Sequence, residues 1–288
     1  MPAAGQFTIG VGANSGSTNY TLQVTGQRNY NGSAATVNGA SFLAGGAIAP
    51  ESIASAFGVN FASSTAAAIV GQILPTNLGG VQVEVNGVPA PLFFVSPQQI
   101  NYLIPAQTTT GTRTVVVRNT AGEVARGDVT VAAISPAFFT ATQNGSGVPT
   151  GYVTRVAAGT SQITNEAIYS STGGGVTPIT IQRRNDQVFL ILFGTGVRSA
   201  PNPNTANDIA LPGGSTLRNV AESLEITIGS KPARVDFAGQ QGQYYGLDQV
   251  NVLIPADAVA SPTAPVIIKV RDANGNLVTA NQMTIALQ

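Results

Sequence analysis

QINYLIPAQ occupies residues 99–107, and QVNVLIPAD returns at residues 249–257, 150 positions later. In an extended chain Ile100, Tyr102 and Ile104 share one face, and Gln99 and Asn101 share the other. Pro105 ends the run, because proline cannot donate to a sheet ladder. Aligning the two phrases brings their neighbours into register. Phe57-Gly58 matches Phe193-Gly194, and VEVNGVPAPLFFV (83–95) matches ITIGSKPARVDFA (226–238). TVVVRNTAGEV (114–124) matches IIKVRDANGNLV (267–278), with Arg118 opposite Arg271. Four matched blocks in one order define an internal duplication, with units of roughly 100 residues, an ordinary domain size.

The other strand signals have the same character. FTIGV (7–11), YTLQV (20–24), RTVVV (113–117), DVTVAA (128–133), VFLILF (188–193), VIIKV (266–270) and MTIAL (283–287) are strand-length runs. Turn residues lie between them, including Asn-Gly at 86–87 and 274–275, which tolerates positive φ. STAAAIVGQI (64–73) is read as a short helix or a loop turn. The expected fold is all-β: two tandem Ig-like β-sandwich domains with an N-terminal β-strand extension. The boundaries drawn are 1–38 for the extension and 39–135 for the first sandwich. The second sandwich takes 136–288, including a hairpin-rich connector at 136–187.

Composition narrows the chemistry. The 288 residues contain no Cys, His or Trp. Disulfides, thiolate nucleophiles, the usual zinc sites and Ser-His-Asp machinery are therefore excluded, and no cofactor is expected. A sugar platform built on tryptophan is excluded too. Basic and acidic residues balance at 13 each, which gives no electrostatic footprint for nucleic acid. The longest apolar runs are too short to span a bilayer. MPAAGQFTIG has neither the basic nor the long apolar region of a secretory signal, so no export signal is visible.

SFLAGGAIAPESIASAFG, LPTNLGGVQVEVNGVPAPLFFVSPQQINYLIP and FLILFGTGVR followed by YYGLDQVNVLIPA carry a resemblance over residues 38–288. The chain resembles an uncharacterised paired β-sandwich family found near the C-termini of large secreted bacterial proteins. More loosely it resembles IPT/TIG Ig-like domains. The resemblance implies an extracellular or cell-surface location, a structural or binding role, and no activity.

Three functional readings follow. In the first, the chain is a non-catalytic structural subunit that self-associates head to tail into a filament or surface fibre. Phe7, Ile9, Val11, Tyr20, Leu22 and Val24 would then complete a sheet in a neighbouring copy, because an isolated hairpin is marginal alone. Packing of these strands onto their own chain is an equal alternative. In the second, the chain is a monomeric adhesion module for a glycan or cell-surface protein, using Tyr244 and Tyr245 or the loop at 201–208. The third is an enzyme using carboxylates alone, around Glu222, Glu225, Asp236 and Asp248. It is the weakest, since loop and strand-edge acids are usually solvated. DANGN (272–276) has a faint calcium-loop spacing, but its glycine is misplaced for an EF-hand and a hairpin turn is the better reading. For Gln99, Asn101, Gln249 and Asn251 the preferred reading is hydrogen bonding to nearby backbone; the alternative is a polar ladder for a ligand.

Overall fold

The computed structural model describes residues 32–160, 162–172, 175–181, 185–198 and 220–288. The runs at 7–11 and 20–24, with all six candidate assembly residues, lie outside the described residues, as does the 201–208 loop. The chain is all-β. Among the described residues the helical content is one 3-10 turn, Ala221–Ser223.

Buried side chains fall into two clusters. The first runs from Ala34 to Val131 and joins two five-stranded sheets. One sheet contributes Val83, Val85, Val115 and Val117; the other contributes Ala54, Ala56, Leu92, Ile100 and Tyr102. Period-2 alternation sends each of these inward, and burying one large aliphatic side chain contributes about 1.5–3 kcal/mol. The Tyr102 hydroxyl is fully buried and shares a 2.9 Å hydrogen bond with Thr36 Oγ1. The second cluster runs from Ile134 to Leu287 and is enclosed by a ten-stranded sheet.

The duplication is visible in the strand register. Phe57 faces Gln99 as Phe193 faces Gln249, and Ile53 faces Leu103 as Phe189 faces Leu253. A β-bulge falls between Leu92 and Phe94 in one copy and between Val235 and Phe237 in the other. The copies differ at one proline. Where the second has the continuous strand Lys231–Gln240, linking both halves of its sheet, the first is broken into Val88–Pro89 and Leu92–Val95. Pro91 stands where the repeat has Arg234, and without an N–H it cannot continue the ladder.

Several expectations need correction. Residues 32–38, assigned to the extension, belong to the first core's sheets. Gly32–Ser33 pairs parallel to Ala125–Arg126, and Ala35–Asn38 pairs antiparallel to Ala54–Phe57. The 136–187 stretch, drawn as a hairpin-rich connector within the second unit, places Gly151–Val156 inside the ten-stranded sheet against Gln187–Leu192. Of the two readings given for residues 64–73, the loop turn is the one formed, and there is no helix. Ala66–Ala67 pairs with Phe94–Val95, and the loop beyond leaves Ile69, Val70 and Ile73 exposed. An alanine run has helix propensity, but this one has no apolar face to bury. Finally, Arg118 and Arg271 are not register equivalents. Val85 faces Val115 while Ile228 faces Val266, a shift of two residues from the sequence match. The cause is a longer strand, Ser261–Arg271, in the second copy.

Candidate functional site

The repeated phrase builds one surface constellation twice. Antiparallel partners directly opposite each other share a face of the sheet. On the outward face of the first copy, Gln99 is therefore flanked by Phe57, and Asn101 by Ser55 and Phe94. In the second copy Gln249 is flanked by Phe193, and Asn251 by Ile191 and Phe237. Each bulge sits one residue before its second phenylalanine and turns that ring outward, while Val95 and Ala238 return to the core. Further rings lie against the first phenylalanine of each copy: Phe42 is 6.4 Å from Phe57 and Tyr152 is 6.2 Å from Phe193, centroid to centroid.

The amides hydrogen-bond each other, not backbone as expected. Gln99 Nε2 donates to Asn101 Oδ1 at 2.8 Å, and Gln249 Nε2 donates to Asn251 Oδ1 at 2.8 Å. Ser55 Oγ adds a second donor to Asn101 Oδ1 at 2.9 Å. An amide side chain offers two donor hydrogens and a carbonyl acceptor. Among the described residues, the Gln99 and Gln249 carbonyl oxygens and the Asn101 and Asn251 amide nitrogens take no hydrogen bond. All four side chains are half-buried. Each copy thus offers a fixed carbonyl acceptor and a fixed NH2 group between two phenyl rings, with no ionisable group in the constellation.

The two cores meet at a second cluster, which the sequence reading missed. Arg198 is buried between Glu51 of the first core's side and Asp248 of the second's. Its Nε donates to Asp248 Oδ1 at 2.5 Å and its Nη1 to Glu51 Oε2 at 3.4 Å. Val197 N–H donates to the other Asp248 oxygen at 2.9 Å. Burial pushes the Asp248 carboxyl above its usual value, against the opposing pull of the Arg198 guanidinium and the Val197 N–H. Thr195 Oγ1 accepts from Ile53 N–H at 2.9 Å and donates to the Gly246 carbonyl at 2.7 Å. Ser135 Oγ donates to the Ala47 carbonyl, and Asn38 Nδ2 to the Ser135 carbonyl. The signal in the sequence was GTGVR after Phe193: a buried arginine demands carboxylates, though their identity needed the fold.

The other candidates disperse. Tyr245 is buried and cannot meet a partner, whereas Tyr244 is about half exposed. Asp236 is paired with Arg234, Asp248 with Arg198 and Glu225 with Arg271, and Glu222 is exposed. These carboxylates do not converge as a hydrolytic pair must. Asp272 closes its own turn, accepting from Asn274 N–H, Asn276 N–H and Asn276 Nδ2. Among the described residues, no three acidic side chains cluster to hold a metal. No described helix is long and apolar enough to cross a membrane. Arg155, buried beneath Glu166 through bonds of 2.6 and 3.1 Å, also donates to the Thr180 carbonyl; it braces an edge hairpin.

An all-β protein with a duplicated outward-facing constellation is the class that fold and site define. A scan against protein-family models gives no match, and neither does a search of curated proteins. Among solved structures, the chain is similar to the Bacteroides ovatus mixed-linkage glucan utilization locus protein SGBP-B, in complex with a mixed-linkage heptasaccharide. That likeness has TM-score 0.33 and 12% identity, covering 84% of this chain and 43% of that one. The Escherichia coli adhesin FdeC is similar at TM-score 0.22 and 12% identity, over 90% of this chain and 63% of that one. An auxiliary nutrient binding protein from Bacteroides ovatus is similar at TM-score 0.21 and 10% identity, over 83% and 68%. The chain spans under half the length of the first of these proteins. At such scores the likenesses carry no argument about ligand or partner.

Proposed function

We propose that this chain is a non-catalytic, extracellular glycan-binding protein that presents the same binding face twice, once on each of two tandem modules. The observation that carries the reading is the repeated set Phe57, Gln99, Asn101, Phe94 and Phe193, Gln249, Asn251, Phe237, in one register and with one bulge. Structural need alone does not require it. Matched core positions can differ between copies, as Tyr102 and Val252 do, while others such as Ile104 and Ile254 are kept. The outward amides and their flanking rings do not vary. A sugar ring has apolar C–H faces and adjacent hydroxyls that both donate and accept. Phenyl rings beside a fixed carbonyl and a fixed NH2 complement it, as a few convergent polar groups in an apolar setting do in ligand sites generally. The rings are phenylalanine, so the absence of tryptophan limits affinity without removing the platform.

The test is affinity electrophoresis through gels containing dextran, xylan, mannan or hydroxyethyl cellulose. The protein is retarded by at least one of these, and a folded variant carrying Gln99→Ala, Asn101→Ala, Gln249→Ala and Asn251→Ala runs as in an empty gel. Unchanged retardation of that variant sinks the reading.

A further inference from the structure

Resting on the glycan reading above, we infer that the ligand is an uncharged polysaccharide that occupies both platforms at once. Three observations meet here. The first is distance. Leu103, on the outward side of the strand that carries Gln99 and Asn101, is buried against the Gly246 turn: a Cβ on Gly246 would lie 2.5 Å from Leu103 Cδ1. Two residues of strand, one side-chain contact and the three residues from Gly246 to Gln249 put the amide pairs within roughly 25 Å. That path sets an upper limit on the separation, and one oligosaccharide of moderate length reaches across it.

The second observation is rigidity. The path between the platforms crosses the junction where Arg198 holds Glu51 and Asp248, and where Thr195 ties Ile53 to Gly246. Two sites at a fixed separation gain from a linked ligand only if its length fits the span, and the gain then reaches a hundredfold or more. The third is charge. None of the eight platform residues ionises. The nearest ionised side chains on the same strands, Arg234 with Asp236 and Asp248 with Arg198, are turned to each other. Acidic polysaccharides gain nothing there, and neutral ones lose nothing. A single platform with one free carbonyl and one free NH2 group binds weakly, so duplication is how such a surface reaches useful affinity.

The experiment is a chain-length series by isothermal titration calorimetry, from disaccharide to long oligosaccharides of whichever gel polysaccharide retards the protein. Two variants run beside it: Gln99→Ala with Asn101→Ala, and Gln249→Ala with Asn251→Ala. The expected result is weak disaccharide binding at two sites, then an affinity rise of about a hundredfold or more for long chains. Either variant loses that rise and keeps one disaccharide site. Long chains binding no tighter than disaccharides would overturn simultaneous occupancy and leave the platforms standing. No retardation in any gel, or titration curves unmoved by both variants, would overturn the platforms and this inference together.

Discussion

Taking the guanidinium from Arg198 while keeping an apolar stem leaves Glu51 and Asp248 buried with their shared cation gone. Breaking a buried pair from one side costs about 3–5 kcal/mol, because the uncompensated charge remains. Arg198→Met is therefore expected to lower the urea midpoint sharply, and a change within the range of an ordinary surface substitution would mean that the junction carries little. Gly246 offers a steric counterpart. Its φ is +67°, and a Cβ would meet Leu103 Cδ1, Ile53 Cγ1 and the Glu51 carbonyl, the last at 3.1 Å. Gly246→Ala combines left-handed strain with overpacking, each costing about 1–3 kcal/mol. Thermal melting of this variant should show a loss although no charge is touched. Asp248 itself has an unusual sign. Its folded carboxyl holds a proton more readily than its unfolded one, so this group favours the folded chain most at low pH. That contribution is lost as the pH rises through the folded value.

Asp272 behaves in the opposite sense, and its effect belongs to a whole turn. The hydrogen bonds from Asn276 and Asn274 lower its carboxyl below 3.8. A depressed folded value stabilises the turn above the unfolded value, and the effect is lost as the pH falls through the folded one. An NMR pH titration should show Asp272 protonating below 3.8, with the amide shifts of Asn274 and Asn276 moving at the same midpoint. A midpoint at or above 3.8 would contradict the turn geometry. This turn was legible in the sequence because Asn274-Gly275 names it, and LEITI and MTIAL gave strand limits to the residue, because alternation and flanking turn residues coincide there. Ala35–Asn38 and Ile53–Phe57 were not legible. Their small, mixed side chains carry no period, and only pairing with each other and with the Gln99–Leu103 strand makes them strands. The amide platform was half legible. The repeated Gln and Asn stood out at once, but their phenylalanine neighbours come from other strands, and a bulge sets one of them. A two-residue spacing cannot report that.

At the scale of the whole molecule, the described residues from Gly32 onward supply two buried cores and both platforms. Ala35 to Asn38 runs toward the junction, where Asn38 bonds the Ser135 carbonyl, so the chain enters the first core at its far end. Asn281, bonded to the Phe138 N–H and the Gly145 carbonyl, lies near the junction, because Gly145 approaches Ser41. Met283–Leu287 then runs away from it, bringing Gln288 against Ile179 and Ile181 at the opposite pole. Ala35, near the start of the described chain, pairs with Phe57, and Phe57 pairs with Gln99, so the first platform lies beside that entry point, while the second follows the Gly246 turn at the junction. A chain lacking residues 1–31 should keep the polysaccharide retardation of the full chain and melt within a few degrees of it, since no described core contact is lost. Negative-stain microscopy of the same pair separates the self-association reading. Filaments formed by the full chain alone would assign Phe7, Ile9, Val11, Tyr20, Leu22 and Val24 to assembly, alongside glycan binding. Loss of retardation in the shortened chain would instead place part of the binding face within residues 1–31. That result would contradict a site built wholly from the repeated Gln-x-Asn strands.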